Sequence, residues 1–181
     1  RCREQAGPGR DTSRPAAAIS APTRCDDAAM TVTIRPFESA DLDQVLQLER
    51  DVFGSDAWSD EVFVAELAHP HSYYLVAEDD SVVVGFGGLR VPDRPGGQGD
   101  IQTLAVLPGY RSQGWGRALV TALMDYAKKS GATEVFLDVR ADNRAARALY
   151  ESMGFSEISR RPGYYQPDGV DAVVMSTRVS A

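Results

Sequence analysis

A glycine turn ahead of a predicted helix is the first feature of the chain with a recognisable chemistry. Residues 111–116 read R-S-Q-G-W-G and follow a predicted strand at residues 101–106. Glycines in such a turn let the backbone approach a ligand, and the unpaired N–H groups at a helix start attract anions. The segment predicts a phosphate-binding turn, with an ordinary strand-to-helix turn as the alternative.

Two familiar nucleotide motifs do not fit this turn. A dinucleotide fingerprint needs a third glycine at position 119, where the chain has Leu119. A P-loop needs Lys and Ser or Thr where the chain has Trp115 and Gly116. The pyrophosphate of coenzyme A still matches what the turn offers.

The turn carries the R/Q-x-x-G-x-G/A signature of the GNAT acetyltransferase superfamily, and the chain resembles that family in order over about residues 31–177. The blocks L-D-V-R-A-D-N at 137–143 and A-L-Y-E-S-M-G-F at 148–155 resemble those of N-terminal protein acetyltransferases. Trp58-Ser59 and the pair Tyr164-Tyr165 extend the similarity to the RimI family. The resemblance implies an enzyme that acetylates the N-terminal alanine of a ribosomal protein, S-eighteen of the small subunit.

The resemblance also implies acetyl-CoA as cosubstrate and places it along the strand end and the glycine turn. The residues implied to bind it are Leu104, Ala105, Val106, Arg111, Ser112, Gln113, Gly114, Trp115, Gly116, Arg117 and Asn143. For Asn143, a helix N-cap is the alternative role. A backbone N–H near Ala105 or Val106 is the expected donor to the reacting carbonyl oxygen.

Family similarity further assigns catalytic and substrate-binding side chains. Tyr150 is expected to protonate the departing thiolate, unless it is a half-buried core aromatic. The related enzymes carry glutamate where this chain has the shorter Asp138, so the predicted base is Asp138, with Asp100 as second candidate. An ion pair with Arg140 is the structural alternative for Asp138. Tyr164 and Tyr165 are expected in a loop beside the entering peptide.

The periodicity of apolar residues along the chain predicts an α/β fold, with strands and helices in the order β-α-α-β-β-β-α-β-α-β-β. We therefore expect the GNAT fold, a mixed and mostly antiparallel sheet of about seven strands flanked by helices. Strands are predicted at 31–37, 72–77, 81–91, 101–106, 134–139, 155–160 and 172–177, helices near 42–53, 59–68, 115–130 and 143–153, and a loop at 161–171.

The composition of the chain limits the kinds of site and partner that we expect. Residues 1–29 hold no aromatic residue and predict a disordered extension ahead of a catalytic domain at 30–181. Both cysteines lie in that extension, so no thiolate metal site is expected in the domain, and we expect no metal. A net charge of −7 argues against nucleic acid. With no long apolar run, the expectation is a cytoplasmic protein without a membrane partner.

Two other functions stay open from the sequence. One is a GNAT enzyme that acetylates lysine or a small-molecule amine. The other is a non-catalytic module that binds acetyl-CoA and regulates a partner. The presence of Gly114, Gly116, Asn143 and Tyr150 favours catalysis.

Overall fold

A seven-stranded sheet organises residues 32–179, the part of the chain that a computed structural model describes. The strand order is β1-β2-β3-β4-β5-β7-β6, and β4 and β5 are the parallel neighbours in an otherwise antiparallel sheet. The strands are β1 (Thr33–Pro36), β2 (Ser72–Asp79), β3 (Val82–Arg90), β4 (Gln98–Val106), β5 (Glu134–Arg140), β6 (Ser156–Tyr165) and β7 (Val170–Arg178). The predicted mixed sheet of seven strands is confirmed.

Four α-helices connect these strands: α1 (Leu42–Phe53), α2 (Asp60–Leu67), α3 (Trp115–Lys129) and α4 (Arg144–Glu151). A positive φ of 55° at Gly54 lets the chain leave α1, and the Ser59 hydroxyl accepts a hydrogen bond from the Val62 N–H to begin α2. The segment between these helices lies beside the cleft described below.

Helices cover both faces of the sheet because its strands carry apolar side chains on both faces. Leu119 and Leu123 of α3 pack with Leu137 and Met175 on one face. On the other face, the helices α1 and α2 contribute apolar side chains that include Val45 and Phe63, which pack with strand residues such as Phe86. Burial of these fully enclosed side chains contributes about 1.5–3 kcal/mol each.

Two predicted strand bounds are wrong by three residues or more. β4 begins at Gln98 instead of residue 101, and β6 extends through Tyr165 into the segment 161–171 that was predicted to be a loop. The sequence did not predict either extension of a strand, because polar residues and glycine are weak strand signals. Pairing of Gln98 with Glu134 and of Tyr165 with Val170 supplies backbone hydrogen bonds that no local pattern reveals.

The predicted extension at 1–29 lies outside the described residues, and so does the start of the predicted domain at residue 30. Both stay predictions.

None of the helices within residues 32–179 combines the length and apolarity needed to cross a bilayer.

A β-bulge in β4 opens the sheet in its middle. Leu89 of β3 pairs with Ile101, but the next residue back, Gly88, pairs with Thr103, so Gln102 is an extra residue in β4. A bulge bends and twists its strand. On the other side of β4, the pairing with β5 ends at the same place, with Ile101 opposite Leu137. Beyond this point β4 and β5 diverge and leave a gap between them.

Candidate functional site

The gap between β4 and β5 is the centre of a cleft of about 1890 Å³. Pockets that hold a single small ligand usually measure about 300–1,000 Å³. The cleft therefore has room for more than one small ligand.

One wall of the cleft is the unpaired edge of β4. The Leu107 N–H donates to the Val84 carbonyl across β3 and β4 at 2.9 Å. N–H groups of alternate residues in a strand point the same way, so those of Leu104 and Val106 point into the gap. The Val106 carbonyl also points into the gap, where the Arg111 side chain donates a hydrogen bond to it at 2.9 Å. The gap thus offers hydrogen-bonding groups of the kind a further strand would use.

The predicted phosphate turn lies where β4 leads into α3. Ser112 and Gly114 have positive φ values of 60° and 92°, which orient successive N–H groups towards one side of the turn. The first hydrogen bond of α3 runs from the Ala118 N–H to the Gly114 carbonyl, so the N–H groups of residues 115–117 have no partner within the helix. A Cβ added at Gly114 would meet no atom within 4 Å beyond its chain neighbours, so there is open space beside the turn.

Side chains of the turn brace it in different ways. Gln113 donates to the Gly109 carbonyl at 2.9 Å, and Arg117 donates to the Ser152 hydroxyl of the α4 terminus at 2.6 Å. Arg111, Ser112, Gly114, Gly116 and Arg117 line the cleft, as do Leu104, Ala105 and Val106. Gln113 and Trp115 are not among the cleft-lining residues.

Asp100 and Asp138 face each other across the narrow end of the gap. Asp100 is in register with Phe136, and Asp138 is two residues further along β5, so both side chains lie on the same face. Asp100 is open to the cleft, yet the cleft walls surround it. This partial removal from water, and after it the Asp138 carboxylate, raises the pKa of Asp100 to about 6.

Asp138 has an ion-pair partner that the sequence did not suggest. Its carboxylate accepts from Arg161 of β6 at 2.8 Å. The pair with Arg140 that was the alternative for Asp138 does not form. Arg140 instead binds Asp56, Asp142 and Asp168. The reason is that Arg161 reaches Asp138 from β6, whereas Arg140, two residues along β5, reaches the loops at the strand end.

Tyr150 and Asn143 approach the cleft from α4. Burial, and after it Tyr165, raises the pKa of Tyr150, so its phenol keeps its proton at neutral pH. The Asn143 side chain accepts from the Ala146 N–H at 3.1 Å, which makes it the N-cap of α4. Since only its oxygen is used in the cap, the amide nitrogen can still donate into the cleft that Asn143 lines.

The predicted tyrosine pair lies at the end of β6. The two rings meet edge to face with centroids 5.2 Å apart, and Tyr164 is half exposed. Burial, followed by Asp138, raises the pKa of Tyr165 to about 12. The guanidinium of Arg161 lies over the Tyr164 ring and that of Arg140 over the Tyr165 ring. The pair therefore forms an aromatic wall close to the two aspartates.

Sequence reasoning missed a buried acid of the same cleft. Glu49 of α1 is only 2% exposed, and one carboxylate oxygen accepts from the Trp58 N–H at 3.0 Å while the other has no hydrogen-bond partner. Burial raises its pKa. Glu49 holds the segment between α1 and α2 against β4. The one signal in the sequence was the helical spacing that puts Glu49 on the same face of α1 as the buried Val45. Only the fold shows that Trp58 and Thr103 lie beside it.

Within residues 32–179, no three His, Cys, Asp or Glu side chains gather in an arrangement that could hold a metal ion.

Comparison with known proteins gives consistent matches. The profile of the family described as Acetyltransferase (GNAT) family matches residues 42–155. The N-alpha-acetyltransferase RimI of Mycobacterium tuberculosis is 38% identical over 146 residues, which cover 80% of this chain and 90% of that protein. The [ribosomal protein bS18]-alanine N-acetyltransferase of Escherichia coli is 33% identical over 150 residues, or 82% and 98% of the two chains.

Solved structures show the same similarity. The crystal structure of the Escherichia coli ribosomal-protein alanine N-acetyltransferase superposes with a TM-score of 0.74 at 32% identity, covering 83% of this chain and 95% of that one. Arabidopsis thaliana NAA60, solved in complex with acetyl-CoA, has a TM-score of 0.74 at 24% identity over 83% of this chain and all of its own (100%). The second likeness concerns the fold alone.

Proposed function

Because this chain belongs to the GNAT acetyltransferase family, we propose that it transfers the acetyl group of acetyl-CoA to the N-terminal α-amine of a protein. The proposed acceptor is the N-terminal alanine of ribosomal protein bS18, which is named as the substrate of the Escherichia coli relative. The observation that carries the proposal is the gap between β4 and β5, with free backbone N–H groups along the β4 edge and with two aspartates and two tyrosines at its narrow end. A ribosomal acceptor implies a cytoplasmic enzyme.

The residues present fit acetyl-CoA. The N–H groups of residues 115–117 and the left-handed turn before them would receive the pyrophosphate. Val106 would pair with an amide group of the pantetheine arm, and the free Asn143 amide nitrogen would donate to the same arm. When bound, the cosubstrate supplies an acetyl thioester at the point where β4 and β5 separate.

Of the two N–H groups predicted to donate to the thioester carbonyl oxygen, only that of Val106 points into the gap, because the Ala105 N–H points towards β3. The Leu104 N–H also points into the gap and lies nearer the point where β4 and β5 separate, so it is the donor better placed for that oxygen. As the amine adds to the carbonyl carbon, negative charge grows on that oxygen. A backbone donor already fixed by the β3–β4 pairing stabilises this charge without reorganising.

We assign proton removal to Asp100 before Asp138. A base works best when its pKa lies near the working pH, and the pKa of Asp100 is raised to about 6. Asp138 is already engaged by Arg161, and its nearby negative charge contributes to the basicity of Asp100. A neutral α-amine is available near pH 7 because its pKa is about 8, against about 10.4 for lysine.

Tyr150 is the proposed proton donor to the sulfur. Its raised pKa keeps it protonated, and its ring packs edge to face on Phe155 at 5.8 Å, which fixes its position. A positioned phenol beside the sulfur stabilises the thiolate as the carbon–sulfur bond breaks.

The acceptor prediction tests the proposal directly. A peptide with a free N-terminal alanine should be acetylated on its α-amine, because that amine is partly neutral at pH 7 and requires only a modest base. The matched peptide with a blocked N-terminus and a free internal lysine should react poorly. Mass spectrometry of both products locates the acetyl group, and acetyl found mainly on lysine would refute the N-terminal assignment.

The pH dependence separates the two aspartates. In the wild type, kcat/KM for the alanine peptide should decline below about pH 8 as the amine is protonated, and more steeply below about pH 6 as Asp100 becomes protonated. Asp100→Asn should lower kcat/KM by roughly 10²–10⁴-fold. Asp138→Asn removes a negative charge that raises the Asp100 pKa, so its acidic limb should move to lower pH while activity persists. The reverse ranking of the two variants would assign the base to Asp138.

Removal of the Tyr150 hydroxyl should affect turnover more than binding. Tyr150→Phe should lower kcat by about 10²-fold or more, with the KM for acetyl-CoA changed by less than about threefold, since the ring and its packing are kept. Steady-state kinetics with a thiol-release assay measures both constants. Unchanged kcat in a folded variant would return Tyr150 to a packing role.

A further inference from the structure

Three segments of the chain meet at one guanidinium, that of Arg140, beside Tyr165 in the cleft. Arg140 is the last residue of β5 and is 23% exposed. It donates to Asp56 at 2.6 Å, to Asp168 at 2.5 Å and, through two nitrogens, to Asp142 at 3.0 and 3.1 Å. Asp56 belongs to the segment between α1 and α2, Asp168 to the turn between β6 and β7, and Asp142 to the turn before α4.

From these contacts we propose that Arg140 is a positioning residue. It joins the loop around Asp56, which lines the cleft, to the turn around Asp168, and thereby sets the width of the acceptor slot, the part of the cleft near Tyr165. This inference rests on the proposed function, since it takes the side of the cleft near Tyr165 as the place where the acceptor chain enters.

Charge explains why one residue has this effect. Three carboxylates converge on a single guanidinium, so without it the two loops would present like charges to each other. Isolated surface ion pairs contribute little, but here the Arg140–Asp56 contact is largely shielded, with Asp56 only 14% exposed, and the guanidinium fork is shared among all three partners. Arginine suits this arrangement because its planar fork directs several N–H groups at once.

The same residue fixes the aromatic wall. The Arg140 guanidinium carbon lies 5.2 Å from the Tyr165 ring centroid, within cation–π range. Arg140 therefore holds both loops and Tyr165 in a single arrangement. Because carboxylates exceed the guanidinium by two charges, the site also stays negative, which suits an incoming protonated N-terminus.

The test compares Arg140→Ala and Arg140→Lys with Arg160→Ala. Arg160 pairs with Glu157 on β6 at 2.6 Å, outside the cleft, so its loss controls for removal of a surface arginine. Arg140→Ala should raise the KM for the alanine peptide by roughly tenfold, as expected for a coupled ion-pair network, and leave the Kd for acetyl-CoA unchanged. Arg140→Lys keeps the charge without the fork, so its KM should lie between those of wild type and alanine variant. An unchanged peptide KM in Arg140→Ala, or equal losses for peptide and acetyl-CoA, would overturn the proposal.

Hydrogen exchange gives a readout that does not depend on activity. In the protein without ligands, Arg140→Ala should accelerate amide exchange in residues 54–58 and 166–169 together, whereas Arg160→Ala should leave both segments as in wild type. Asp168→Asn, which removes one link, should affect mainly residues 166–169. Unaltered exchange in both segments of Arg140→Ala would also overturn the proposal. If the wild type fails to acetylate the peptide but the exchange result holds, the proposed acceptor is wrong and the role of Arg140 in joining the loops stands.

Discussion

The end of the β4–β5 pairing at Ile101 and Leu137 is the constraint on which the candidate site depends. A parallel pair whose hydrogen bonds continued to the strand ends would leave no room for a ligand and no free backbone donors. The extra residue Gln102 bends β4 at this point while β3 keeps its pairing on the other side. One irregularity therefore creates both the cleft and the fixed N–H groups that line it.

The two sides of this opening have different chemistry because different elements supply them. On one side, the left-handed turn and the start of α3 present backbone N–H groups suited to phosphate. On the other side, β5 and β6 bring Asp138, Arg161 and the tyrosine pair next to Asp100. A donor thioester and an acceptor amine can therefore meet at the narrow point between the strands, each held by groups of suitable charge.

Local patterns predicted much of this arrangement. The periodicity of apolar residues indicated the order of strands and helices, and the glycine turn and the 137–155 blocks identified the family, which the comparisons confirm. The ends of strands were predicted less accurately where backbone pairing with a neighbouring strand overrides the local composition. Only the second half of β6, residues 161–165, was predicted to be a loop, because Arg161, Pro162 and Gly163 are poor strand signals.

Partners of charged side chains could not be predicted, since they depend on loops distant in sequence. Arg140 was considered as a partner for Asp138, two residues away, whereas it binds Asp56 and Asp168, 84 and 28 residues away. Glu49 went unnoticed because its burial against Trp58 and β4 exists only in the folded chain. The raised pKa of Asp100 has the same origin, because only the fold places it in the cleft, partly removed from water and near Asp138.

Amide hydrogen exchange along β4, measured with and without acetyl-CoA, tests most directly the claim that the unpaired strand edge is the cosubstrate site. Leu107, whose N–H already donates to Val84, should exchange slowly in both states. Leu104 and Val106 should exchange faster without ligand and slow down on binding, because their N–H groups gain partners only then. Equal exchange at Leu104 and Val106 in the two states, under conditions where calorimetry shows acetyl-CoA to be bound, would contradict the account.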